Sequence, residues 1–293
     1  MNRSRDTLLR KRYELKDELG RGAGGTVYRA RDRATDHIVA IKVTPRAGED
    51  RGARVRCIHR ADPMPHPAHE DIVTTYEAGT IQEGAYIVME WVGGGNLRRH
   101  AERGHLLPLT VILSVIARVA DALAHVHDYH VVHGDVKPAN ILHDPARDAV
   151  KLTDFAYPVL CDSRGTRLAI RGTRAYMSPE QICAMTLAAP SDQFSLGVTL
   201  YQLACGYLPF DTSSLPRLAF SIVHEKHRDI RTHDPALPSA LAAVLDRALD
   251  KRPAARYESA RELAAAIRAV LKATQTGDAP PYRGSSFAVA AQT

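Results

Sequence analysis

The segment from His133 to Ala156 limits what this chain can be more than any other. It reads H-G-D-V-K-P-A-N-I-L over 133–142 and, after a short turn, K-L-T-D-F-A over 151–156. Ile141-Leu142 and Val150-Leu152 flank that turn as apolar pairs, the pattern of two short strands in a hairpin. Such a hairpin brings Asp135, Asn140 and Asp154 around one small volume. Two carboxylates and an amide oxygen at that density suit a hard divalent cation, and magnesium commonly shares such a site with substrate phosphates. An acid left off the metal can orient a hydroxyl for attack. A polar hairpin with ordinary turn acids satisfies the same letters, so the remaining chain has to separate the two.

With 293 residues, 45% hydrophobic and 25% charged, the chain has ample material for a core, in one large domain or two small ones. Lysine and arginine exceed aspartate and glutamate by 39 − 33 = 6. That excess is compatible with a nucleotide or an acidic partner. No basic tract interleaved with aromatics accompanies it, so no nucleic-acid partner is expected. Cys57, Cys161, Cys183 and Cys205 are far apart and form no C-x-x-C pair, which reads as reduced thiols. The first residues lack the apolar stretch of a signal peptide. No run of roughly 18 uncharged apolar residues is visible, so no membrane partner and a cytoplasmic location are expected.

From Tyr13 the pattern is strand, glycine turn, strand. Gly20, Gly22 and Gly25 have G-x-G-x-x-G spacing, with Val27 two residues on. Positions without side chains let backbone N–H groups approach phosphate oxygens. In dinucleotide folds the same spacing opens a helix. Here the β-branched and aromatic T-V-Y-R-A-R follows, and a hairpin is expected. The apolar strand 37–43 carries Lys42 in its interior, and Ile72-Val73, Ile81 and 86–90 supply further strands. After the glycines at 93–95 the period becomes helical, with Ile112, Val115, Ile116, Val119, Leu123 and Val126 on one face of a helix over 108–126. The stretch 190–205 is apolar all round and ends at Gly206. Two amphipathic helices follow at 239–250 and 259–272, the second with a Ser259–Glu262 capping box. His125, His127, His130 and His133 cluster, but no cysteine or acid completes a zinc set at recognisable spacing.

Taken in order, these motifs resemble those of protein kinases: G-x-G-x-x-G-x-V at 20–27, V-A-I-K at 39–42, H-x-D-x-x-x-x-N at 133–140 and D-F at 154–155. S-P-E at 178–180 and K-R-P-A-A-R-Y at 251–257 continue the series. The wording between motifs is most similar to bacterial serine/threonine kinases of the eukaryotic type, and the resemblance covers about 13–272. It implies an α+β, bilobal fold: a small antiparallel β-sheet lobe over 13–92 and a larger, mainly α-helical lobe over 93–272. A loose lead-in over 1–12 and a flexible tail over 273–293 flank them. The implied reaction is transfer of the ATP γ-phosphate to Ser or Thr hydroxyls of proteins, autophosphorylation included, with Mg2+ or Mn2+.

By the same resemblance Asp135 is the catalytic base, Lys137 neutralises charge on the phosphoryl group, and Lys42 holds the α- and β-phosphates. Asn140 and Asp154 hold the metal, and Gly20, Gly22 and Gly25 cover the phosphates. Leu19, Val27, Ala40 and Leu142 sandwich the adenine, with Met89 as gatekeeper. The backbone of Glu90 and Val92 meets its hydrogen-bonding edge, and Asn96 lies near the ribose. Thr173 touches Asp135 and Lys137, Glu180 pairs with Arg256, and Asp192 braces the catalytic loop.

Three departures stand out. Arg51, Arg54, Arg56 and Arg60 occupy the segment 46–62 where the family's helix has a glutamate that pairs with the strand lysine. Asp62 is one substitute, and Asp154 is another partner for Lys42. The basic segment reads first as a solvated face and second as a docking face for an acidic partner. Gly134 replaces the arginine of H-R-D, so little dependence on phosphorylation of the activation loop, 157–171 with Ser163 and Thr166, is expected. Ala156 replaces the glycine of D-F-G. These departures leave open a nucleotide-binding pseudokinase scaffold. H-G-D is also found in small-molecule kinases of the aminoglycoside or choline type, but Lys137, S-P-E and the Glu180–Arg256 match favour a protein substrate.

Overall fold

The computed structural model describes residues 8–9, 11–22, 25–45, 68–81, 84–155 and 174–276. These fall into two compact units divided between Gly93 and Gly94. The smaller is one antiparallel sheet of β1 (Leu8–Leu9), β2 (Tyr13–Gly22), β3 (Gly25–Asp32), β4 (Ile38–Pro45), β5 (Thr75–Ile81) and β6 (Gly84–Glu90), in the order β1-β2-β3-β4-β6-β5. Strand side chains alternate between faces. One face carries a core of Leu9, Tyr13, Ala30, Val39, Ile41, Tyr86 and Val88. The pairings Val27↔Lys42 and Ala40↔Met89 place Val27, Ala40, Lys42 and Met89 together on the other face.

The glycine turn joins two strands and not a strand to a helix, as the residues after it require. Gly25 has φ +122°, and a Cβ there would lie 2.2 Å from the Val43 carbonyl oxygen, so the backbone contact admits only glycine.

The lead-in differs from expectation. Leu8–Leu9 pairs with Tyr13 and Glu14, and Leu9 is buried. Arg12 then clamps Asp32 at 2.7 and 2.8 Å and reaches Glu77 at 3.2 Å. Glu77 also accepts from the Tyr13 and Tyr86 hydroxyls at 2.7 and 2.6 Å. Arg12 keeps the Asp32 carboxyl well below the usual carboxylate range, chiefly through their hydrogen bond. Two leucines in a charged run suffice to add a strand once a sheet edge receives them.

In the larger unit β7 (Gly95–Asn96), β8 (Ile141–Asp144) and β9 (Ala149–Leu152) form a small sheet, with Ile141 opposite Leu152 in the expected hairpin. The helices are α1 (Leu109–Asp128), α2 (Pro179–Ile182), α3 (Ala189–Cys205), α4 (Leu215–His224), α5 (Ser239–Ala248) and α6 (Ala260–Thr276). The last continues to Thr276, into the segment expected to be tail, and its apolar face packs Val270 and Leu271 against the core. Ser259 caps it, accepting from the Glu262 amide at 3.2 Å.

By length and apolar content α1 would pass for a membrane span, although Arg118 and Asp121 interrupt it. Yet 67% of its apolar window is buried inside the unit, where α1 packs against α6 and α3. Its Arg118 and Asp121 face outward partners, the Asp148 carbonyl at 2.8 Å and Arg268. Helix α3 is buried on nearly all sides. Gly197 permits its close approach: a Cβ there would lie 3.1 Å from the Ala248 side chain and 3.1 Å from Leu249. Gly206 ends the helix at φ +79°. Among the described residues Cys183 and Cys205 are free, and burial pushes the Cys205 thiol up to about 12.

Candidate active site

Residues 133–140 leave the end of α1 and run to β8 as an extended segment closing on a single 3-10 turn, Pro138–Asn140. Its charged groups are mutually satisfied around one carboxylate oxygen. The Lys137 ammonium donates to Asp135 Oδ2 at 2.6 Å, and Asn140 Nδ2 donates to the same oxygen at 3.1 Å and to the Asp135 carbonyl at 2.8 Å. No described donor reaches Asp135 Oδ1. With its nitrogen committed to Asp135, Asn140 offers its amide oxygen as its remaining side-chain acceptor. The Thr153 amide donates to the Asn140 carbonyl at 2.9 Å, which brings Asp154 to the end of the same turn. Asp154 sits at φ +61°, in the left-handed region.

His133 ties the two halves of this loop. Its Nδ1 accepts from the Asp135 amide at 3.1 Å and its Nε2 donates to the Thr153 carbonyl at 3.0 Å. Those contacts require the neutral imidazole with its proton on Nε2. Burial lowers the His133 pKa against the pull of Asp192, in keeping with that form. Phe155 packs on the His133 ring at 4.4 Å.

Asp192, fully buried near the start of α3, organises the loop from below. It accepts from the His133 amide at 2.8 Å, the Gly134 amide at 2.7 Å and His127 Nε2 at 2.8 Å. Gly134 has φ +76°, so the residue standing in place of the family arginine adopts a left-handed backbone without a Cβ penalty. His127 and His133 thus spend ring nitrogens on the protein itself. Among the described residues no group of three or more His, Cys, Asp or Glu could hold a metal.

Glu180 and Arg256, both buried, meet at 2.7 and 3.0 Å, and Ser191 donates to Glu180 at 2.7 Å. Two other arms were not foreseen. Gln181 accepts from the Ser178 amide at 2.8 Å and donates to the Gly134 carbonyl at 2.9 Å, so one side chain both caps α2 and holds the loop. The Ser178-x-x-Gln181 capping box was visible in the sequence. The reach of Gln181 to Gly134, and that of His127 to Asp192, had no local signal.

In the smaller unit Lys42 lies beside Val27 on the face away from the core, next to Ala40 and Met89. A Cβ on Gly20 or Gly22 would meet no atom within 4 Å, so internal packing does not account for glycine at either position. Leu19 is exposed, and Glu90 and Val92 are half-buried. In the larger unit Asn96 lies on β7 opposite Leu142 on β8. Thr173, Ala156, the arginines of 46–62 with Asp62, and Ser163 and Thr166 lie outside the described residues.

The sheet unit with its glycine hairpin and interior lysine, followed along the chain by the helical unit with its Asp–Lys–Asn loop, has the motif order of protein kinases. A family model for the protein kinase domain matches residues 13–266. The chain is 36% identical over 284 residues to serine/threonine-protein kinase PknB of Mycobacterium tuberculosis, covering 93% of this chain and 44% of that protein. It is 32% identical over 288 residues to serine/threonine-protein kinase pkn3 of Myxococcus xanthus, covering 94% and 53%. To serine/threonine-protein kinase PrkC of Bacillus subtilis it is 29% identical over 273 residues, covering 91% and 42%. The chain belongs to the protein kinase family. It spans about half the length, or less, of these curated relatives.

Proposed function

We propose that this chain transfers the γ-phosphate of ATP to Ser and Thr hydroxyls of protein substrates. The observation that carries this reading is the division of labour on Asp135. One carboxylate oxygen is held by Lys137 and Asn140, while no described donor occupies the other. That open oxygen suits the orientation of an incoming hydroxyl and acceptance of its proton. Lys137, held at 2.6 Å, keeps a positive charge beside the point of transfer.

The residues fit a divalent cation and a nucleotide. The Asn140 amide oxygen and the Asp154 carboxylate are hard oxygen donors on neighbouring segments, joined by the hydrogen bond from the Thr153 amide, one residue before Asp154, to the Asn140 carbonyl. Two protein oxygens suit magnesium or manganese that takes its other ligands from water and phosphates. When bound, that ion neutralises phosphate charge. Glycine at 20 and 22, without internal cause, leaves the backbone open to phosphate, and Lys42 on the same sheet supplies a cation. A pseudokinase scaffold is not favoured, because Asp135, Lys137 and Asn140 stand in one satisfied network that nucleotide binding alone does not need.

The test is transfer of labelled γ-phosphate, with magnesium or manganese, to the chain itself and to a mixed library of Ser/Thr peptides. Phosphoserine or phosphothreonine made by wild type and lost in Asp135→Ala, with nucleotide binding retained, is the expected result. Equal incorporation by both proteins would refute the role of Asp135.

A further inference from the structure

Four arginines of the larger unit stand out by what they lack. Arg98, Arg99, Arg103 and Arg174 are exposed, and none has a carboxylate partner among the described residues. Elsewhere on the same unit Arg228 is also exposed and unmatched among the described residues, but it stands alone, while the others pair: Arg217 with Asp211 and Glu225, Arg231 with Asp229, Arg247 with Glu262, Arg261 with Asp128 and Arg268 with Asp121. Over 95–105 and 174–178 the charge is four arginines less Glu102, or 4 − 1 = +3.

Their place matters more than their number. The Leu97 amide, next to Arg98, donates to the Pro138 and Ile141 carbonyls at 3.0 Å each, which fixes Arg98 beside the turn that follows Lys137. The turns Arg99–Ala101 and Arg174–Tyr176 both pack on α3. Tyr176, two residues from Arg174, hydrogen-bonds the Gln202 side chain of α3, so the turns that carry Arg98, Arg99 and Arg174 meet on that one helix. The second of these turns leads into α2, whose Gln181 holds Gly134, the residue before Asp135. An unpaired guanidinium beside a docking surface attracts carboxylates, offering five donors in a planar fork.

Resting on the kinase reading above, we propose that Arg98 and Arg174, with Arg99, select substrates in which the accepting Ser or Thr is flanked by acidic residues. Such charges act mainly on encounter and affinity and are screened by salt.

The experiment measures anisotropy of labelled peptides on the full chain with magnesium and a non-hydrolysable ATP analogue, which requires no turnover. The peptides share one serine and differ in flanking Glu, Ala or Lys. At low salt the Glu peptide should bind about tenfold more tightly than the Lys peptide, the scale of two exposed ion pairs, and the gap should narrow as salt rises. Arg98→Glu with Arg174→Glu should abolish the gap, and Arg98→Gln with Arg174→Gln should halve it on a logarithmic scale. In the transfer assay the Glu substitutions should raise KM for the Glu peptide while kcat for the Ala peptide stays unchanged. Equal binding of Glu and Lys peptides, or a gap that survives both double substitutions, overturns the proposal. An intact gap with no phosphate incorporated into any peptide would remove the kinase reading and leave the acid-selective surface standing.

Discussion

Asp135 and Glu180 are both acids beside a cation, and burial separates their roles. Asp135 is half-buried and pairs through one oxygen with Lys137. Its replacement by Asn keeps the shape and removes the base, so kcat should fall by roughly 10²–10⁴ while nucleotide affinity is preserved, as a transfer assay and a titration would report. Glu180 is buried against a buried Arg256. Burial works against its charge, but Arg256 and the Ser191 hydroxyl hold its carboxyl below the ordinary value. A carboxylate lowered in the folded state contributes stability above its unfolded pKa and loses it as pH falls through the folded one. Arg256→Ala leaves a buried carboxylate unpaired and should cost about 3–5 kcal/mol in urea unfolding near pH 7, with a smaller deficit in acid. The Glu180–Arg256 pair was legible in the sequence because both residues stand in recognisable motifs. Gln181 belongs to a legible cap, but its second bond crosses to Gly134 and has no counterpart in local pattern.

At the scale of elements, the catalytic loop depends on a neutral His133. Burial lowers its pKa, so below the unfolded value of about 6.5 the unfolded chain takes up a proton that the folded chain resists. Stability should therefore decline as pH drops from about 6.5 toward the folded value, and the decline should be shallower in His133→Gln when urea midpoints are compared between pH 5 and 7. Helix α3 offers a test of packing. At Gly197 a side chain would press on Ala248 and Leu249. Gly197→Val should lower stability by about 1–3 kcal/mol through overpacking, measured by denaturation. The helix and hairpin were visible as period 3.6 and period 2. The short strand β1 was not, since two leucines carry no period of their own.

For the molecule as a whole, ligand and metal should appear as linkage. A nucleotide that binds only the folded state at a hundred times its dissociation constant adds about 2.7 kcal/mol. Magnesium with ATP should raise the melting temperature more than ATP alone. Chelation, or Asp154→Ala, should remove that increment. An unchanged increment in Asp154→Ala would take Asp154 out of the metal site. The pattern of residues along the chain was sufficient for the strand–glycine–strand turn, the interior lysine, the succession from sheet unit to helical unit and the offsets of Asp135, Lys137 and Asn140. All of these are relations between near neighbours, governed by backbone period and steric preference. The resemblance grouped Val27, Ala40 and Met89 and had Asp192 brace the loop, but only packing paired Val27 with Lys42, brought His127 to Asp192 and set Arg98 beside Pro138. Those relations join residues far apart in the chain, and they come into being only when the buried faces of different elements meet.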